Sequence, residues 1–192
     1  MQLGGLALGK APLICGVLEK SFDSRKINKA LKAGANMLEF RVDSFSKKDI
    51  KLLAAPLKRL KKRKVPTLLT VRSNKEGGKG RLTDAERLAI FNEFIPYFDA
   101  VDIELSSKKI IKEVIAKAKK ARKLVIVSFH NFKTTPIMEK LLSIIKEARR
   151  AGADIVKLAA KVKGSVELRR LAGLLTDNTD LIVIAMGPEG SA

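Results

Sequence analysis

The sequence predicts an α/β fold, a (β/α)8 TIM barrel whose last strand and helix are lacking in this chain. Three observations carry that expectation. Seven short, apolar, β-branched runs alternate without interruption with helix-period segments, the logic of a parallel sheet joined by crossover helices. Several runs carry polar residues two positions apart, and therefore on one face of a strand. Two helix-to-strand junctions repeat nearly the same sequence around a glycine.

The strands are expected over residues 13–18, 37–42, 67–71, 101–105, 124–129, 155–160 and 181–186, each short and bounded by turn or charged residues. Helices are expected over 24–33, 49–61, 84–95, 108–122, 136–150 and 165–175. Thr83 or Asp84 is the expected cap of the third helix, because a short side-chain oxygen there satisfies a free backbone N–H. The repeated junctions are Lys32-Ala-Gly-Ala-Asn-Met-Leu-Glu39 and Arg150-Ala-Gly-Ala-Asp-Ile-Val-Lys157, where Gly34 and Gly152 end a helix in the left-handed conformation. Glu39 with Arg41, Asp102 with Glu104, and Ser128 with His130 are the polar pairs. Charges on one face of several strands fit the mouth of a barrel better than a doubly wound sheet covered on both sides.

A chain of 192 residues forms one domain over 1–192 and buries roughly 70% of its unfolded surface. Its 46% apolar and 31% charged residues are those of a folded soluble protein. The first ten residues lack a basic leader and break at Lys10 and Pro12, so no signal peptide and no membrane span is expected, and a cytoplasmic address is. One cysteine, Cys15, with one histidine gives neither an internal disulfide nor a zinc site, so no metal is expected.

The net charge of +19 raises the question of nucleic acid. The basic runs at 58–64 and 117–123 fall where helices end, however, and there cations complement the helix dipole. No tryptophan and a single tyrosine leave little to stack on bases. Solvated helix faces and attraction for a small anionic ligand are expected, and specific nucleic-acid recognition is not.

The chemistry centres on Asp154-Ile-Val-Lys-Leu-Ala-Ala160, where Lys157 interrupts an apolar strand. An amine carried into apolar surroundings is pushed toward its neutral, nucleophilic form. The plainer reading is an amine that reaches solvent or pairs with a carboxylate. His130 ends another apolar run, and an imidazole beside an amine suits imine chemistry with a proton shuttle. The segment Glu76-Gly-Gly-Lys-Gly-Arg81 lacks the Gly-Lys-Ser/Thr ending of a phosphate loop and reads as a mobile loop or lid.

Six segments, in order, resemble type I 3-dehydroquinate dehydratase, the imine-forming enzyme of the shikimate pathway. They are Leu38-Glu-Phe-Arg-Val-Asp43, Thr70-Val-Arg-Ser-Asn-Lys-Glu-Gly-Gly78, Val101-Asp-Ile-Glu104, Ser128-Phe-His-Asn-Phe-Lys-Thr-Thr-Pro136, Ala153-Asp-Ile-Val-Lys157 and Ala185-Met-Gly-Pro-Glu-Gly190. The resemblance implies a barrel in which Lys157 forms an imine with 3-dehydroquinate, His130 moves protons and Glu76 orients His130. It implies substrate contacts from Glu39, Arg41, Arg72 and Met186, and no cofactor. Phe132 is either a pocket wall or a core aromatic, and a structural Glu39–Arg41 ion pair is the plain alternative for those two residues. Members of that family continue into a Ser-Arg, an eighth strand and a closing helix, whereas this sequence stops at Ala192. A sheet open between its first and seventh strands exposes two edges, so a homodimer is expected, as is a longer native chain. Two other readings are an aldolase-like imine-forming lyase and a basic nucleic-acid-binding module.

Overall fold

The computed structural model describes residues 1–9 and 11–191. Its centre is a sheet of seven parallel strands: β3 (Cys15–Leu18), β4 (Met37–Arg41), β5 (Thr67–Thr70), β6 (Ala100–Glu104), β7 (Leu124–Asn131), β8 (Ile155–Lys161) and β9 (Leu181–Met186). Strand order in space is strand order in sequence, so every crossover turns the same way and the sheet curls into a partial barrel. Among the described residues, β3 and β9 are its unpaired edges. The helices are α1 (Ser24–Lys32), α2 (Lys47–Leu52), α3 (Ala54–Lys62), α4 (Asp84–Phe94), α5 (Ile111–Lys120), α6 (Met138–Ala151) and α7 (Ser165–Asp177).

Two features depart from the sequence reading. The helix expected over 49–61 is two helices that meet at Leu53. Before the sheet stands a hairpin, β1 (Gln2–Leu3) with β2 (Leu6–Ala7), turned by Gly4 and Gly5, both at positive φ. Two glycines in that conformation form the turn whose twist matches a two-residue hairpin. The cap of α4 is Thr83, in a reciprocal capping box: Thr83 Oγ1 accepts from the Glu86 N–H at 3.2 Å and Glu86 Oε2 from the Thr83 N–H at 2.8 Å.

Alternation along the strands creates two apolar cores. In β6, Val101 and Ile103 face outward to the helices, where Phe98 packs edge-on against Phe40 of β4 at 5.5 Å. Ala100 faces inward, with Met37, Leu68, Ile126 and Ile155 from neighbouring strands and Leu3 from the hairpin. These six residues floor the barrel interior. The next inward layer, one pleat toward the C-terminal ends of the strands, is polar: Glu39, Thr70, Asp102, Ser128 and Lys157.

Four helix-to-strand junctions have the same paired turn, in which the N–H after the cap and the next N–H bond back into the last helical turn. At Gly34 and Gly152 φ is +95° and +108°, as expected. The junctions after α3 and α5 place Lys64 and Arg122 there instead, each at φ 55°. A residue with a Cβ in that region costs about 1 kcal/mol or more.

Candidate active site

The polar layer is organised by Asp102, which is fully buried on the inward face at the middle of β6. Ser128 donates to Asp102 Oδ1 at 2.6 Å, the Arg72 guanidinium lies 3.0 Å from the same oxygen, and the Lys157 amine lies 3.3 Å from Oδ2. Burial alone raises a carboxyl, but here the charges of Arg72 and Lys157 and the Ser128 hydrogen bond outweigh it. Asp102 is held well below the usual carboxylate range. Lys157 therefore differs from the expectation of an amine among apolar side chains. Its strand neighbours Val156 and Leu158 face the helices, while the lysine faces inward, largely buried, against a carboxylate. Pairing with a carboxylate, the plainer reading, is what the fold provides.

Arg72 extends the network toward the strand ends. One of its nitrogens donates to Glu104 Oε1 at 3.0 Å and to Ser128 Oγ at 2.7 Å. Burial opposes the Arg72 cation, and Asp102 and Glu104 overcome it, holding the guanidinium above its usual range. Glu104 also accepts from the Ser73 N–H at 3.0 Å, from Ser107 Oγ at 2.7 Å and from Arg87 of α4. Sequence reasoning missed Arg87. Its signal was its place on the inward stripe of α4 with Ile90, Phe91 and Phe94, at helical spacings of three, four and seven.

Arg41 forks onto a different acid from the one expected. Its Nε and one terminal nitrogen donate to Asp43 at 3.0 and 3.1 Å, with Glu19 at 3.5 Å. Glu39 pairs with the Thr70 hydroxyl at 2.7 Å, so the expected alternative of a Glu39–Arg41 ion pair is not what forms. Asp43, also missed, accepts from the Arg72 and Lys79 N–H groups at 3.1 and 3.0 Å. The glycine-rich segment expected to be mobile is thus anchored at Lys79, and again at Glu76.

Glu76 carries the second half of the site. Its Oε2 lies 2.9 Å from both the His130 backbone N and ring Nδ1, and its Oε1 accepts from Ser106. A carboxylate on Nδ1 fixes the ring and leaves Nε2 as the nitrogen available for proton transfer. Phe132 stacks on the imidazole, ring centroids 6.3 Å apart and planes 13° apart, and is itself half exposed, a wall rather than core. Gly77 makes this contact fit: its φ is +85°, and a Cβ there would stand 2.8 Å from Phe132 Cζ.

These groups share one open cavity of about 860 Å³, lined by Glu39, Arg41, Arg72, Glu76, His130 and Lys157 among others. Met186 does not line it; it lies at the end of β9, in register with Lys161 of β8. A second groove, of about 500 Å³ between α1 and α3, is apolar and carries no comparable chemistry. At the start of β3, in register with Met37 of the floor, desolvation and the Glu39 carboxylate push the Cys15 thiol up to about 11, against the opposing charge of Lys157.

The fold and these residues define a TIM-barrel-type enzyme, with its amine, imidazole and carboxylates facing the interior above the apolar floor, toward the end of the barrel where such folds carry their chemistry. A family profile described as Type I 3-dehydroquinase matches residues 17–192. The 3-dehydroquinate dehydratase of Hydrogenobaculum sp. is 42% identical over 157 residues, 81% of this chain and 70% of the relative. That of Methanosarcina barkeri is 36% identical over 99% of this chain and 82% of its own. The crystal structure of 3-dehydroquinate dehydratase from Geobacillus kaustophilus superposes with a TM-score of 0.90 at 28% identity, covering all of this chain and 80% of the other. The chain belongs to the type I 3-dehydroquinase family and is by that membership a hydro-lyase. Among the described residues, no helix is long and apolar enough to cross a membrane.

Proposed function

We propose that this chain dehydrates 3-dehydroquinate to 3-dehydroshikimate through an imine on Lys157, with His130 moving the protons. The observation that carries the reading is that Lys157 and the His130–Glu76 pair open on the same cavity from adjacent strands, with Ser128 in register with Lys157 and His130 one pleat beyond.

Lys157 Nζ, once deprotonated, attacks the ketone carbon, and the carbonyl oxygen leaves as water to give a C=N bond. The protonated imine withdraws electrons from the neighbouring C–H. His130 Nε2 takes that proton, and the electron pair moves into the imine as an enamine. The enamine then expels the β-hydroxyl, which takes the proton from the imidazolium and departs as a second water while the C=C bond forms. Hydrolysis of the imine consumes one water, restores the ketone and frees Lys157, so the net change is the loss of one water. Asp102 orients the amine, and Glu76 holds the ring and balances its positive charge. Arg41 and Arg72 supply positive potential for the substrate carboxylate, and Glu39 accepts from a substrate hydroxyl.

Borohydride reduction in the presence of 3-dehydroquinate tests the assignment by peptide mass spectrometry. The expected result is a ligand-sized mass on the peptide containing Lys157 and none on the Lys157→Ala protein. Labelling elsewhere, or turnover retained by Lys157→Ala, overturns it.

A further inference from the structure

The helices run antiparallel to the strands, so their C-terminal ends gather at the end of the barrel opposite the cavity. Two of those ends, after α3 and α5, bring together Lys61, Arg63, Lys64, Lys120, Arg122 and Lys123. Among the described residues, none of the six has a carboxylate ion-pair partner, although Arg63 donates to Asn28 Oδ1 of α1 at 3.2 Å. Two acids border the cluster: Asp99, which accepts from the Thr67 N–H at 2.9 Å and hydroxyl at 3.2 Å, and Asp154, which pairs with Lys119 and accepts from the Val125 N–H at 2.8 Å. Asp99 ties the strand entries that follow the two turns together: its N–H donates to the Thr67 carbonyl at 3.0 Å and its own carbonyl accepts from the Leu124 N–H at 3.1 Å, and beside it burial lowers the Lys123 ammonium, Asp99 opposes this, and Lys61 adds to it.

The backbone at both turns takes the conformation that favours glycine. The same paired turn is made at Gly34 and Gly152 without strain, yet here the left-handed position is filled by Lys64 and Arg122, both exposed. Glycine would relax both turns; a lysine and an arginine keep two charges on the face at the expense of backbone strain.

We infer that this face binds the phosphate backbone of duplex nucleic acid, without reading its sequence, through the two basic turns after α3 and α5. Cations without a carboxylate partner are what phosphates require, and base recognition is not involved. The turns carry no aromatic residue for stacking on single strands. Their apolar residues, Val65 and Leu124, are partly buried, which leaves no wedge for insertion into a lipid surface and no apolar centre for a protein partner. The sequence expectation of no specific nucleic-acid recognition is unaffected, since the contact is with backbone alone.

The test is fluorescence anisotropy with two unrelated 20-base-pair DNA duplexes from 50 to 200 mM salt. Six phosphate contacts give a log–log salt slope of about −5, the same for both duplexes. The double variant Lys64→Gly/Arg122→Gly is expected to reduce the slope by about 2 and the affinity at 50 mM salt on the order of 100-fold. It should melt no lower than the parent, because both turns are relaxed, and should retain full dehydratase turnover, because the cavity lies at the other end. A charge-matched control, Lys47→Ala/Lys48→Ala at the start of α2, should leave the slope unchanged. No binding at 50 mM salt, equal binding by parent and glycine variant, an equal loss in the control, or preference for phosphatidylserine vesicles over duplex would each overturn the inference.

Discussion

Glu104→Gln isolates the element that holds the site rigid. Glu104 Oε1 accepts from Arg72 and the Ser73 N–H, and Oε2 accepts from Arg87 and Ser107. Glutamine keeps the shape but offers an NH₂ at one of those two positions, where it meets two groups that are themselves donors. It also removes the negative charge between two arginines that are 3% and 1% exposed. Breaking a buried pair by removing one partner costs about 3–5 kcal/mol. At roughly 2–4 °C per kcal/mol for a chain of this size, Tm should fall by roughly 6–20 °C. Urea denaturation followed by circular dichroism measures the loss, and Arg87→Met completes a double-mutant cycle. Removing the second cation relieves part of the damage, so the double variant should be more stable than the sum of the singles by about 1 kcal/mol or more. Because Arg72 lines the cavity, kcat/KM should fall as well. A Glu104→Gln protein within about 1 kcal/mol of the parent, or strictly additive effects, would refute the view of Glu104 as a clamp on both arginines.

Two further perturbations address the halves of the site separately. The Asp102 carboxyl is held below its ordinary value of 3.8, so its contribution to stability is complete above that pH and is lost as pH falls toward the lower folded-state value. Acid titration of urea stability should therefore be shallower below about pH 4 for Asp102→Asn than for the parent; parallel curves would contradict the assignment. Gly77→Ala forces a Cβ into the left-handed region and against Phe132, which stacks on His130. A stability loss of about 1–2 kcal/mol and a fall in kcat on the order of tenfold are expected by denaturation and steady-state kinetics, and a variant with normal values of both would show that the packing has no catalytic consequence.

The sheet was legible because period-two alternation is written into each strand: Leu38 and Phe40 point to the helices while Glu39 and Arg41 point inward. The inward charges were legible as a set, but their partners were not. Arg41 was read beside Glu39 because the two are close in sequence, whereas the fold brings Asp43 and Glu19 to it. Arg72, Glu104 and Arg87 meet across separate elements, and one sequence records no such pairing. Lys157 was conspicuous as a charge in an apolar run, yet Asp102, which neutralises it, lies 55 residues away. The hairpin carried a readable signal in Gly4-Gly5 between leucines, but its strands are only two residues each. Met186 shares a motif with the site and is nonetheless outside the cavity.

That hairpin has a consequence for the chemistry above it. Leu3 packs at the base of the curled sheet with Met37, Leu68, Ala100, Ile126 and Ile155, an apolar layer directly beneath that of Asp102. Trimming the first seven residues would turn this stopper into a drain, hydrating the carboxylate from below and loosening its hold on Lys157. Residues that never reach the cavity thus form part of the floor on which its buried carboxylate rests.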